Sequence, residues 1–363
     1  MNGAPPGAPF AILRTMSKEP TRHATLYRAY RPRTFAEVRG QDHIVSVLQA
    51  AIENKKIAHA YLFIGTRGTG KTSIARILAR ELGVSDKDLY EMDAASHTSV
   101  DDIRELREGV NVMPFESPYK FYIIDEAHML SKSAWNAFLK TLEEPPAHVI
   151  FVLATTERDK VPDTIQSRCE IYAFKQPTRD VLSSVVIDVA KKEGYTLEPA
   201  AAELVALLAD GSFRDSLSIL QKVLTVSKDK KVSVTEVETV AGAPRGALVR
   251  TLVKALSEKD AAGALVGVQE AVRQNLDMRT LTKLLIHRMR VVLLVRFAPN
   301  LVESFSTELT SDDREQVGEI AKSTAVTSET LRVLLEAYSR MAYAAIPHVP
   351  LELAIIDICA PQK

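Results

Sequence analysis

Eight residues, Gly65-Thr66-Arg67-Gly68-Thr69-Gly70-Lys71-Thr72, constrain this chain more than any other stretch. They follow the apolar run Tyr61-Leu62-Phe63-Ile64 and open into Thr72–Leu82, which carries Ile74, Ile77 and Leu78 on one helical face. The local order is therefore strand, glycine loop, helix. Glycines at 65, 68 and 70 let backbone N–H groups curl around phosphate oxygens, and the helix N-terminus adds partial positive charge. Lys71 is placed to reach the terminal phosphates, and Thr72 offers a hydroxyl to Mg²⁺. The pattern implies an α/β domain built around a nucleoside triphosphate.

From Thr25 to Phe174 strand-like runs alternate with helical patterns, which predicts a parallel sheet with helices on both faces. Strands are expected at Ala60–Ile64, Leu89–Asp93, Phe121–Asp125, Val149–Thr155 and Glu170–Phe174. Helical spacing marks Asp102–Val112. A second helix is expected after Ser131 as N-cap, with Trp135, Phe138, Leu139 and Leu142 on one face and Pro145-Pro146 as its stop. After Pro177 the strands are expected to end. Thr178–Glu193, Pro199–Ala209, Phe213–Val226 and a short helix near Thr235–Val240 read as a small helical lid.

Gly242-Ala243-Pro244 reads as a boundary. Beyond it the pattern is helical throughout, at Gly246–Ser257, Ala261–Asn275, Met278–Arg296, Asp312–Ser323, Ser328–Ala345 and Leu351–Cys359. The helix around Leu281–Val295 is apolar on most sides and should be central in a bundle or at a subunit contact. The expected division is a disordered tail at 1–20, a P-loop domain at 21–177, a lid at 178–243 and a C-terminal helical domain at 244–363.

Lys+Arg and Asp+Glu are 46 each, so net charge advertises no nucleic-acid partner. The apolar runs Val149–Ala154 and Val291–Val295 fall far short of the ~20 residues of a membrane helix. The proline-rich first residues lack the apolar core of a signal peptide. Cys169 and Cys359, the two cysteines, form no metal-ligand spacing, which suits a reducing compartment. A soluble, cytoplasmic protein is expected.

Phe121-Tyr122-Ile123-Ile124-Asp125-Glu126 is a buried strand ending in two carboxylates. Beside Lys71 and Thr72, Asp125 is expected to hold the Mg²⁺ shell and Glu126 to polarise the attacking water. Asp125-Glu126-Ala127-His128 also spells the DEAH box of a helicase superfamily. That reading needs a second ATPase-like lobe, whereas the chain after Pro177 offers helices. His128 is therefore read as a local structural residue.

These elements resemble those of AAA+ clamp-loader ATPases, nearest the tau/gamma family of bacterial DNA polymerase III and more distantly the small subunits of replication factor C. Leu26-Tyr27-Arg28-Ala29-Tyr30-Arg31-Pro32, with Phe35, Val38, Gly40 and Gln41, is similar to their adenine-site motif. Leu139–Pro146 resembles their helix after the acidic strand, Ser167-Arg168-Cys169 their Ser-Arg-Cys motif, and Gly211-Ser212-Phe213-Arg214-Asp215 their sensor-2 motif.

The resemblance implies a nucleotide pocket formed by Tyr27, Arg31, Val38, Gly65–Thr72, Ser73 and Arg214. It implies Thr156 as a polar sensor near the γ-phosphate and Arg168 as an arginine finger given to a neighbouring subunit. It further implies ATP and Mg²⁺ as cofactors. The expected partners are other clamp-loader subunits in a pentameric hetero-oligomer, a ring-shaped sliding clamp and primer–template DNA. His97, Arg104, Lys140 and Thr164 match DNA-contacting positions. Tau/gamma subunits commonly carry a four-cysteine zinc module where this chain has Leu82–Leu89, so no zinc is expected. The implied function is a DNA-stimulated ATPase that opens and loads the clamp; a DEAH-type helicase and an ATP-binding scaffold with little turnover are the alternatives.

Overall fold

The computed structural model describes residues 25–96, 100–227, 229–298 and 309–360, without the side chains of residues 100–102, 104 and 105. The expected tail at 1–20 lies outside them. The chain divides into two compact units. One runs through Val181 and includes Gly211–Asp215; the other holds Leu182–Asp210 and everything from Ser216 onward.

The first unit is built on five parallel strands, β1 Ala60–Ile64, β2 Leu89–Asp93, β3 Lys120–Asp125, β4 Val149–Thr155 and β5 Glu170–Ala173. Their order in the sheet is β2-β3-β4-β1-β5. Side chains alternate across a strand, so a sheet covered on both faces needs apolar residues at successive positions. Tyr61, Phe63, Phe121, Ile123, Ile150 and Val152 pack on one face with Ile74, Ile77 and Leu78 of helix Lys71–Glu81 and Ile44 and Leu48 of helix Asp42–Glu53. Leu62, Tyr122, Ile124, Phe151 and Leu153 pack on the other with Ile103, Leu106, Trp135 and Phe138. Ile64 stands opposite Thr155, and Ile124 opposite Leu153. The glycine loop and the residues after β3 and β4 thus emerge together at the carboxyl edge, where open α/β sheets bind ligands.

Ser131 caps helix Lys132–Glu143, its side chain accepting from the Ala134 N–H. Helix Asp42–Glu53 was not among the expected elements, and the predicted Asp102–Val112 helix runs instead over Val100–Val110.

The second unit is helical, with one correction: Thr196–Leu197 and Lys231–Val232 pair as a short parallel ladder, so strands do not end at Pro177. Two-residue strands are too short to show a period of two. The helices are Arg179–Lys192, Pro199–Leu208, Phe213–Val226, Val234–Ala241, Gly246–Ser257, Ala261–Arg273, Met278–Phe297, Ser311–Ala321, Ser328–Arg340 and Val349–Cys359. Helix Ser328–Arg340 stops before the expected Ala345. No Gly marks that stop, and the continuing Met341, Tyr343, Ala344 and Ala345 mimic a helical face. Met278–Phe297 is central, packing against Gly246–Ser257, Ser311–Ala321 and Ser328–Arg340. Leu281, Leu285, Met289 and Val292 are buried along it at helical spacing. Among the described residues no helix is long and apolar enough to cross a membrane.

Candidate active site

The loop after β1 owes its shape to its glycines. Gly68 and Gly70 adopt φ of +78° and +103°, a region that side-chain-bearing residues enter only at a cost. A Cβ at Gly65 would lie 2.7 Å from the Cβ of Phe174 and 2.9 Å from its carbonyl oxygen, so only glycine lets the loop pass β5. The Thr69 hydroxyl closes the loop by donating to the Thr66 carbonyl at 2.9 Å. Gly70 is the N-cap of helix Lys71–Glu81, whose first N–H groups face the loop.

Lys71 is 6% exposed, and its Nζ donates to the carbonyls of Gly65 at 2.7 Å and Thr66 at 3.0 Å. Burial lowers its pKa, opposed by the nearby charges of Glu126 and Asp125. The Thr72 hydroxyl donates to Asp125 Oδ2 at 2.8 Å, joining helix to β3. Two hard oxygen donors so arranged suit Mg²⁺. Ser73 is half-buried on the same helix, and Arg67 is exposed at the loop tip.

Glu126 follows directly, with backbone at φ 46°, ψ 43°, a left-handed conformation for a non-glycine residue. Such strain costs about 1–2 kcal/mol and persists where surrounding bonds impose it. Here the Glu126 N–H donates to Asp125 Oδ1 at 3.0 Å, and its carbonyl accepts from the Met129 N–H at 2.8 Å. The turn directs the carboxylate to Thr156, whose hydroxyl donates to Glu126 Oε2 at 3.2 Å. Lys71, Thr72, Asp125, Glu126 and Thr156, expected together, form one cluster.

The N-terminal motif reaches the same region. Burial lowers the pKa of Arg31, which feels the charges of Arg76, Glu91, Arg214 and Asp125. The Arg214 guanidinium lies 5.8 Å from the Tyr27 ring centroid, and its charge also acts on Lys71. Four cations, Lys71, Arg31, Arg76 and Arg214, thus interact electrostatically with one another and with three carboxylates, Glu91, Asp125 and Glu126, and Arg76 is ion-paired with Glu91. A polyphosphate would balance the excess. Val38 is half-buried against the core beneath.

Two joints fall outside the predicted site residues. Gln41 is 1% exposed; its Nε2 donates to the Lys175 carbonyl at 2.7 Å, and its Oε1 accepts from the Lys175 N–H at 3.2 Å. Nε2 also approaches the Thr69 carbonyl at 3.4 Å, pinning the loop to the end of β5. The Phe213 N–H donates to the Gly68 carbonyl at 3.0 Å, which ties the Gly211–Asp215 segment to the loop. Gln41 stood in the recognised motif, but its reach across 134 positions carried no sequence signal.

Arg168 lies elsewhere. It donates to the Thr164 carbonyl at 2.6 Å and to Glu143 Oε1 at 2.8 Å, neither of them part of the loop cluster. Lys140 and Thr164 are exposed. His97 and the Arg104 side chain lie outside the described residues.

This fold and cluster define a P-loop protein of the AAA+ class. Solved structures of the RuvB Holliday junction branch migration motor of Thermotoga maritima share the fold, with TM-score 0.51 and 22% identity over 62% of this chain and 79% of theirs. Residues 40–93 and 84–178 match the model of the DNA polymerase III delta subunit, 182–229 that of the clamp loader ATPase lid domain, and 232–363 that of domain III of subunits gamma and tau. The chain is 36% identical over 358 residues to DNA polymerase III subunit tau of Bacillus subtilis, covering 93% of this chain and 63% of that protein. It is 37% identical over 298 residues to subunit tau of Escherichia coli, covering 76% of this chain and 46% of that one. Over most of its length the chain is thus similar to the gamma/tau subunits of DNA polymerase III, and it spans less than two thirds of these relatives' length.

Proposed function

We propose that this chain is the ATP-hydrolysing subunit of a clamp loader, which uses ATP to open a ring-shaped clamp and close it on primer–template DNA. The observation that carries the reading is the continuous chain of bonds from Thr72 through Asp125 and Glu126 to Thr156. ATP would occupy the glycine loop, with Lys71 exchanging loop carbonyls for phosphate oxygens. Thr72 and Asp125 would hold Mg²⁺, which neutralises charge on the phosphates. Glu126, held by Thr156, accepts a proton from the attacking water. Arg214 neutralises phosphate charge from its own chain, and Arg168 serves a neighbouring subunit.

The partners are other clamp-loader subunits in a pentamer, the clamp and primed DNA, in the cytoplasm. Lys140, Thr164, His97 and Arg104 are proposed DNA contacts, and the domain division at 177/178 and 243/244 is kept in this reading. The test is ATPase turnover of the assembled complex with and without clamp and primed DNA. Glu126→Gln should keep ATP binding and lose turnover. Near-normal hydrolysis by Glu126→Gln, in an assembly with no other active ATPase subunit, overturns the assignment.

A further inference from the structure

His128 sits two residues past the acidic pair, and its side chain is 7% exposed. Its Nδ1 lies 3.1 Å from the Thr155 hydroxyl and 3.5 Å from Glu126 Oε2; its Nε2 lies 3.2 Å from Glu157 Oε1. The Thr155 hydroxyl is itself engaged, donating to the Glu157 carbonyl at 3.2 Å and accepting from the Glu157 N–H at 3.0 Å. Both ring nitrogens therefore face acceptors, Glu157 Oε1 at Nε2 and, with its own hydrogen on the Glu157 carbonyl, the Thr155 oxygen at Nδ1, so a proton on Nδ1 would face both Thr155 and Glu126. Glu157 is half exposed and shares its charge with Lys160 Nζ at 2.9 Å, which leaves the Nδ1 side as the consequential one.

Glu126 also needs a restraint that its own backbone does not supply. Its left-handed turn aims the carboxylate, but a free Glu side chain still has three rotatable bonds, and among the described residues the hydrogen bond that holds it comes from Thr156. We propose that His128 is a positioning residue for the hydrolytic step: Nδ1–H, 3.5 Å away, and the Thr156 hydroxyl, 3.2 Å away, converge on Glu126 Oε2 and hold the end of β3 to the turn after β4. This rests on the reading of Glu126 as the group that activates water.

The test compares His128→Ala, His128→Asn and His128→Gln in the assembled complex, measuring kcat, KM for ATP and direct ATP binding. The Asn amide nitrogen falls near the position of Nδ1, whereas the Gln amide nitrogen falls near Nε2. His128→Ala should lower kcat by about 10- to 100-fold, the cost of a roughly 1 Å misplacement, with ATP affinity unchanged. His128→Asn should recover most of that loss and His128→Gln little of it. In a Glu126→Gln background, His128→Ala should cause no further loss, because it acts through the missing carboxylate.

Wild-type turnover in His128→Ala, equal rescue by Asn and Gln, or parallel loss of kcat, ATP affinity and melting temperature in all three variants would each overturn the proposal. Loss of turnover in Glu126→Gln with normal turnover in His128→Ala removes His128 alone. Normal turnover in Glu126→Gln removes the underlying reading instead.

Discussion

Gly65→Ala isolates the steric demand of the phosphate loop from the left-handed backbone demand made at Gly68 and Gly70. The new Cβ would meet Phe174 Cβ at 2.7 Å, its carbonyl oxygen at 2.9 Å and its Cα at 3.4 Å. Carbon atoms in contact prefer about 3.5–4.0 Å, so the loop and the end of β5 must separate by roughly 1 Å. Neither side gives easily, because the Phe174 N–H donates to the Ile64 carbonyl at 2.7 Å and Gln41 clasps Lys175 beyond it. Overpacking of this kind costs about 1–3 kcal/mol. For a unit of this size that lowers the melting temperature by about 2–12 °C. A loop displaced at its first residue also misdirects its N–H donors, so ATP affinity should fall by about tenfold or more. Differential scanning calorimetry and titration with a non-hydrolysable ATP analogue measure the two effects. Truncating Phe174→Ala should not rescue Gly65→Ala, since the offending Cβ and carbonyl remain. Gly109→Ala is the control: it lies in a helix where, among the described residues, the new Cβ would meet Tyr122 Oη at an ordinary 3.5 Å, and should be neutral or stabilising by about 0.5–1 kcal/mol. A Gly65→Ala chain with wild-type melting temperature and affinity, or one cured by Phe174→Ala, refutes the reasoning.

Lys71→Ala should abolish ATP binding, read by calorimetric titration, whereas Glu126→Gln should not. Arg168→Ala should leave ATP affinity of the isolated chain unchanged while reducing clamp- and DNA-stimulated turnover; a large loss of affinity would put Arg168 in its own pocket. Its Glu143 pair is partly exposed and worth about 0–1 kcal/mol, too little to keep it from a phosphate. Mixing Arg168→Ala with Lys71→Ala subunits should partly restore turnover that neither has alone, and verified mixed assembly without recovery counts against a shared site. Asp88 is buried, which by itself raises its pKa, but the N–H groups of Phe115, Glu116 and Ser117, with the Ser117 side chain, outweigh burial and hold it below the ordinary carboxylate value. Its stabilising effect is therefore present above the unfolded value and lost as pH falls through the depressed one. Asp88→Asn should cost about 1–3 kcal/mol near neutrality, with the gap in melting temperature to wild type closing below that pH; a pH-independent gap would refute it.

The P-loop, the acidic strand and all five strands of the sheet were legible because each is a local pattern. A glycine at 65, 68 or 70 acts through its own backbone or a close neighbour, and a strand buried on both faces shows as a continuous apolar run such as Val149–Thr155. Ser131 could be read as a cap because its partner, Ala134, is three residues away. Shorter elements were not legible: Thr196–Leu197 and Lys231–Val232 have no room to display a period, and the end of helix Ser328–Arg340 carries no glycine signal. The resemblance to clamp-loader ATPases named Thr156 and Arg214, and tertiary structure decided what they touch. That Glu126 is gripped by Thr156 and approached by His128, that Gln41 fastens the loop to Lys175, and that Asp88 gathers three amides from a turn 27–29 residues later are facts of chain crossing. A hydrogen bond depends on atoms meeting within about 3 Å, and sequence spacing encodes that only for neighbours a turn or two apart. Once parallel strands bring residues 65, 125 and 155 to one edge, separation along the chain no longer bears on separation in space.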